Sequence, residues 1–394
     1  MEALKDPDAK VRSAATESLG FFSRDASQTI PKLMERLSDD NVEVRRAAIQ
    51  SLGRLGKGNH NVEEALRKFL DDPDTLTKLN TIIALASVGK VDDSVIPTLL
   101  TAIGNKDKTT AKAAGRVLSA IAPTKSDKVL PGLTELLDKD QEPGVSNALK
   151  VLRFMKAAAA PALPKISSLY DKSDAHVRLE ILGALSSIDS KGDQALPVLV
   201  KALKAHDIMV RKEALLGVIR YRSKVDVFLE PLTESMKEGD LENRLLAIGI
   251  VRGLGQQGLK AVPTLTALTD DPNVRVRSSA IGVLATFRPP PEDVLETFGR
   301  KLKDSQPAVR LAAVGALRQI GYVYPEKVTG LLESALKDEK NELTRRAMAA
   351  TLTGIRKVKP STTAAKSTTP DKAKPSTAAA KSTKADEVQP KSNK

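Results

Sequence analysis

Residues 44–53 read VRRAAIQSLG, and the same phrase stands one period earlier, at 11–20, as VRSAATESLG. Later copies are VRLEILGAL at 177–185, VRKEALLGV at 210–218, VRSSAIGVL at 276–284 and VRLAAVGAL at 309–317. The basic position of the phrase falls at Arg12, Arg45, Lys78, Lys112, Arg178, Arg211, Arg244, Arg277, Arg310 and Arg345. Ser146 fills the slot between Lys112 and Arg178, and successive slots are 32 to 35 residues apart. A second comb of Pro31, Pro97, Pro131, Pro164, Pro197, Pro231 and Pro263 runs through the gaps, with apolar residues at helical spacing after most of them. Two combs sharing one period are the mark of stacked supersecondary units.

Each unit reads as two helices. In residues 39–70, Asp39 or Asp40 stands where an N-cap is expected, and Val44, Ala47, Ala48, Leu52 and Leu55 recur at three and four as one apolar stripe. Gly53 and Gly56 mark the helix end, and Val62, Ala65, Leu66, Phe69 and Leu70 form a second stripe. Asp6-Pro7, Asp72-Pro73 and Asp271-Pro272 place a capping carboxylate before a proline at the first helical position. One such pair cannot bury its apolar face alone, so the copies must stack around a continuous core. The expected architecture is all-α: a right-handed superhelical α-solenoid of ten to eleven helix pairs over residues 1–358, about 100 Å long.

The phrase D-x-x-V-R-x-x-A-x-x-x-L-G followed by P-x-L-x-x-x-L resembles the HEAT repeat of armadillo-like superhelices, in particular the short repeats similar to those of phycobilisome lyases. The pattern breaks at Ser146, in the run Ala157 to Pro164 and at Pro289-Pro290-Pro291, which read as bends, insertions or longer surface loops. The opening MEALKD matches the last turn of a second helix, as SALKD at 334–338 does, so the first repeat is expected to be incomplete and the protein to begin upstream with a cap or export signal. If Met1 is the true start, a cytoplasmic protein is expected; otherwise export stays open.

Composition removes several chemistries. The chain has no cysteine and no tryptophan, only 3% aromatic residues, and 41% hydrophobic residues, so the core is aliphatic and thiolate chemistry is absent. No apolar stretch approaches the roughly 20 residues of a membrane span. Residues 359–394 lose the period and become a Lys, Ala, Ser, Thr and Pro-rich tail carrying eight lysines against Asp371, Asp386 and Glu387. With Val388 its one large hydrophobe, this tail is expected to be disordered, and it resembles linker-histone tails. It suits salt-dependent contact with nucleic acid, or a solubilising spacer.

Catalysis needs converging groups, and the sequence offers none. His60, His176 and His206 precede Asn, Val and Asp, so the His-Glu pairs of the HEAT-like deoxyhypusine hydroxylases are missing, and the three read as exposed helix-start or loop residues. The aromatic cleft of HEAT-like DNA glycosylases has no counterpart. No Gly-rich phosphate loop, HExxH or GxSxG motif occurs. The recurrent six-residue offset from Asp39 to Arg45, Asp271 to Arg277 and Asp304 to Arg310 reads as caps and inter-repeat hydrogen bonds. No catalytic, metal or cofactor-binding residue is assigned, and no cofactor is expected.

The HEAT resemblance places the second helices on the concave side, starting near the comb prolines. It implies a partner surface through Met34, Arg36, Thr101, Thr134, Lys165, Ser168, Lys201, Thr233, Thr266, Thr297 and Ser334. Basic clusters stand at Arg220, Arg222 and Lys224, at Arg300, Lys301 and Lys303, and at Arg345, Arg346, Arg356 and Lys357. The expected function is a non-enzymatic scaffold or adaptor that binds another protein, an extended peptide among the options. Two alternatives are a nucleic-acid-associated protein working through the tail and basic clusters, and, by resemblance only, a chromophore lyase subunit.

Overall fold

The computed structural model describes residues 2–22, 26–89, 92–139, 143–291 and 293–357; the tail from 359 onward lies outside the described residues. The V-R phrases form one series of helices: α1 (Ala9–Leu19), α3 (Val42–Leu55), α5 (Thr75–Val88), α7 (Lys108–Ile121), α9 (Gly144–Met155), α11 (Ala175–Ile188), α13 (Ile208–Val218), α15 (Leu241–Leu254), α17 (Val274–Leu284), α19 (Pro307–Ile320) and α21 (Glu342–Lys357). Between them run α2 (Ala26–Arg36), α4 (His60–Arg67), α6 (Ile96–Ile103), α8 (Ser126–Asp138), α10 (Leu163–Leu169), α12 (Ala195–Ala202), α14 (Val225–Lys237), α16 (Val262–Leu268), α18 (Asp293–Lys301) and α20 (Pro325–Asp338). Each V-R helix touches the next, α1 on α3 through α19 on α21, which makes a two-layer α-solenoid. Each intervening helix packs mainly on the V-R helix that follows it, α2 on α3 through α20 on α21. The compact unit therefore straddles the repeat as read from the sequence. Glu2–Lys5, a 3-10 turn with Leu4 buried, packs on α1 in the same manner.

Several boundaries differ from expectation. Pro31, Pro131 and Pro231 lie inside α2, α8 and α14, which start about one turn earlier. The cap of α3 is Asn41, not Asp39 or Asp40. Asp6, Asp72 and Asp271 do not cap helices directly; each accepts the N–H of the residue two ahead at 2.8 Å. Those residues, Asp8, Asp74 and Asn273, are the caps. Two polar side chains in tandem thus turn the chain into the helix. Gly56 ends α3, but Gly53 lies inside it, where a Cβ would stand 2.7 Å from the Cα of Ala84 on α5. Here glycine is needed for helix approach.

The run 157–164 is no insertion. Lys156–Ala162 is a 3-10 segment that leads into α10, as Gly255–Ala261 leads into α16. Lys156 has φ 51 and ψ −131 where Gly255 has φ 56 and ψ −129, a left-handed conformation that costs a side chain of order 1–3 kcal/mol. The Pro289–Pro291 stretch is anchored, not a free loop: Phe287 and Pro290 are buried, and the Tyr324 hydroxyl reaches the Pro290 carbonyl at 3.4 Å. The core is an aliphatic ribbon that divides at α5. Leu79 and Ile82 join the long C-terminal part, Ala84, Leu85 and Val88 the N-terminal part, and Leu70 touches both.

Five of the recurrent arginines are tied into latches, while Arg45 and Arg178 donate only to main-chain carbonyls among the described residues. Arg277 on α17 donates Nη1 to the carbonyls of Asp271 and Pro272 at 2.8 and 3.1 Å, and Nε and Nη2 to the Asp304 carboxylate at 3.0 and 3.1 Å. Arg310 repeats this with the Asp304 and Ser305 carbonyls and with Glu339, and Arg12 with the Asp6 and Pro7 carbonyls and Asp39. Arg211 with Asp240 and Arg244 with Asp271 complete the C-terminal run. The six-residue offset is therefore met through main-chain carbonyls, while the carboxylate goes to the arginine of the preceding repeat. Planar, bidentate and largely removed from water, such pairs are the stronger kind.

Arg12 holds the Asp39 carboxylate below the ordinary range, and Arg310 does so for Glu339. Burial pushes Asp304 up, but hydrogen bonds from the Gln306 N–H and Arg277 outweigh it. Asp74 is brought down to about 2 by the Thr77 hydroxyl and N–H and by Arg46, against burial.

Three outcomes are expected. Gly53→Ala lowers the unfolding free energy by about 1–3 kcal/mol, because the Ala84 backbone cannot yield. Gly249→Ala, whose Cβ meets nothing within 4 Å, raises it by about 0.5–1 kcal/mol; urea unfolding of the two variants reads the difference. In a double-mutant cycle of Arg277→Ala and Asp304→Ala, the coupling is about 1.5–3 kcal/mol. Because Asp39, Asp74, Asp240, Asp304 and Glu339 have native pKa values below their unfolded ones, the unfolded chain binds more protons in that window. Urea midpoints should stay level above about pH 5, fall as the pH drops through about 4 and continue falling toward 2, with Asp74→Asn removing part of the slope below 4.

Candidate functional site

Of the side chains expected to form a partner surface on the proline-comb helices, Thr101, Ser168, Lys201 and Ser334 are exposed, Thr297 is buried and the others are half-buried. Met34 packs against the N-terminal core, and Arg36 donates to the Leu4 carbonyl at 2.9 Å while lying beside Glu35 and Asp39. Thr101, Thr134 and Thr233 donate to the carbonyls of Pro97, Leu130 and Glu230 within their own helices, and Ser168 to that of Lys165. Thr266 is half-buried, and Thr297 is only 3% exposed, which removes it from any surface. Lys165 pairs with Asp138, and Lys201 with Asp171 at 2.5 Å. Ser334 borders a shallow groove of about 720 Å³ between α18 and α20.

The basic clusters are partly neutralised. Lys224 meets Asp193 at 2.5 Å, and Arg300 and Lys301 share Asp270. Lys301 is buried, because its stem fills the layer and leaves only the ammonium at the carboxylate, so it is not a surface contact. Arg346 pairs with Glu342, and Arg356 with Glu333. Arg220, Arg222, Lys303, Arg345 and Lys357 are exposed. These cations sit on separate turns and helix ends. His60 opens α4 beside Glu64, His206 lies in the turn before α13, and His176 is exposed on α11. Among the described residues no group of His, Asp and Glu could hold a metal ion, and no helix is long and apolar enough to cross a membrane.

A groove of about 1040 Å³ lies elsewhere, between the V-R helices α7 and α9. Its charged lining is Lys106, Lys108, Lys112, Arg116 and Lys150, and Ala111, Gly115, Val151 and Phe154 give it an apolar floor. The expected sites included none of these residues. The signal was readable as Lys108, Lys112 and Arg116 at successive spacings of four, one stripe of a helix. Lys112 had been read only as a slot of the repeat. Phe154 is 61% exposed, unusual for the ring of a core-forming phrase.

A family model described as HEAT repeats matches residues 1–66, 63–153 and 262–353, more than half of the chain. No curated protein matches the sequence. Among solved structures, the karyopherin Kap121p bound to the extreme C-terminus of the protein phosphatase Cdc14p is similar with a TM-score of 0.60 at 14% identity, over 90% of this chain and 45% of that one. Kap95p, in a complex with RanGDP, gives a TM-score of 0.54 at 18% identity, covering 89% and 49%. A chain of the AP-3 complex gives 0.59 at 13% identity, covering 90% and 74%. The chain spans about half the length of these karyopherins, and at such identities the likeness is one of fold. The phrase, the two helical layers and the family match agree: this chain belongs to the HEAT-repeat family.

Proposed function

We propose that the protein is a non-enzymatic scaffold that holds another protein along the face of its V-R helices. The observation that carries this reading is where apolar surface is left uncovered. Among the described residues, Val227 and Leu259 aside, every exposed large apolar side chain lies on a V-R helix or directly after one. Phe154, Ile208, Met209, Leu216 and Leu343 stand on the helices, and Phe21, Phe22 and Tyr322 follow them. Apolar groups spread along one layer mark an interaction surface. The V-R helices also pack on one another more extensively than the proline-comb helices do, as the inner layer of a curved stack must. We therefore assign the concave side to the V-R helices, opposite to the assignment implied by the family resemblance alone.

The charged residues of the repeat are used in latches, which supports a binding surface rather than a reaction centre. Kap121p, similar in fold, has been captured with Pho4p and with Nup53p, so a solenoid of this kind can hold protein ligands. Affinity capture from the native host, with the full chain and with a version ending at Val358, each with and without nuclease, tests the reading. One protein recovered near stoichiometrically by both baits, indifferent to nuclease, is expected. Recovery that disappears with the tail or with nuclease would overturn it.

A further inference from the structure

Four of the five cations lining the α7–α9 groove pair with no acid among the described residues. In the five latched repeats an arginine stands four residues after the helix cap and binds a carboxylate, but four residues after Asp107, the cap of α7, stands the buried Ala111, and Asn105 takes the place of the acid two residues before the cap. Lys106, Lys108, Lys112 and Arg116 make no ion pair or hydrogen bond with the described residues, and Lys150 alone approaches a carboxylate, Glu180, at 3.4 Å. Lys108, Lys112 and Arg116 stand at i, i+4 and i+8 of one helix, an arrangement of like charges that weakens a helix by about 0.2–0.5 kcal/mol per pair. A stripe kept at that cost, beside an apolar floor, calls for an anionic occupant.

The geometry points to an extended protein segment with alternating acidic and apolar residues, lying in the groove parallel to α7; this rests on the scaffold reading above. Successive cations on α7 are about 6 Å apart along the axis. Alternate side chains of an extended chain, which face the same way, repeat at about 6.8 Å. Carboxylates at every second residue therefore meet Lys108, Lys112 and Arg116 in turn. The intervening side chains point the other way, to Val151 and Phe154 on α9. Gly115 leaves room for a backbone, since a Cβ there would meet nothing within 4 Å. A sugar-phosphate chain fits less well: it brings nothing apolar to this floor, Phe154 alone is no stacking platform, and the neighbouring α11 presents Glu180 instead of more cations.

The test is selection of a phage-displayed random dodecapeptide library on the full chain, in parallel with Lys112→Glu/Arg116→Glu and with Phe154→Ser. All the changed side chains are exposed, and thermal melts matching the unmodified protein confirm the fold. The expected result is enrichment of peptides with acids at alternate positions and apolar residues between them. Their affinity should fall about tenfold on the charge-reversed variant and about threefold or more on Phe154→Ser. Failure to enrich peptides, enrichment without acids, or equal affinity for the charge-reversed variant would overturn the proposal. So would a labelled single-stranded oligonucleotide of about 16 nucleotides that outcompetes the selected peptides and needs Lys112 and Arg116. A captured protein partner that binds the charge-reversed variant undiminished would sink the groove and leave the scaffold standing; capture of no protein would sink the scaffold itself.

Discussion

The guanidinium shared between two carbonyls of one interhelical turn and the carboxylate of the next fixes much of this molecule. Arg277 shows the economy of the arrangement: three of its nitrogens satisfy the Asp271 and Pro272 carbonyls and the Asp304 carboxylate together. Because one side chain must reach both its own turn and the following one, the interval between turns cannot drift, and the period stays near 33 residues. A lysine in the same slot carries the charge but not the fork, so it cannot close both contacts.

That distinction orders the array. From α13 to the turn before α21 the latches run without a break, through Asp240, Asp271, Asp304 and Glu339. In the stretch where the position four after the cap holds Lys78, Ala111 and Asn147, the core divides at α5, and a groove opens between α7 and α9. Arg46, outside the slot, takes over one tie by reaching Asp74.

The fold was legible because it is written eleven times. Any one copy of the phrase is ambiguous, but a stripe that returns at Arg12, Arg45 and Arg178 in one register admits only stacked helices. Helix starts were less legible: Pro31, Pro131 and Pro231 look like first-turn residues, yet tertiary packing carries their helices back another turn. Asp39 looked like a cap and proved to be a latch because its partner is 27 residues earlier, a distance that local pattern cannot reveal. The partner surface was least legible. Which layer is inner depends on how closely helices far apart in sequence approach, and the repeat pattern that places Met34, Arg36 and Thr297 on the proline-comb helices carries no such distance.

A repeat protein has few ways to make one place differ from the rest, since every slot that follows the pattern is occupied by the demands of stacking. Departure from the pattern is therefore where recognition can be built. Ala111 lies where the latch arginine would be, Asn105 where the acid would be, and Phe154 is turned outward on a helix whose neighbours are aliphatic and buried. Three departures within two adjacent V-R helices, converging on one groove, are hard to reconcile with drift of an idle surface. With no acid at Asn105 and no latch at Ala111, the exposed Lys108, Lys112 and Arg116 beside Phe154 form a positively charged, apolar-floored trough.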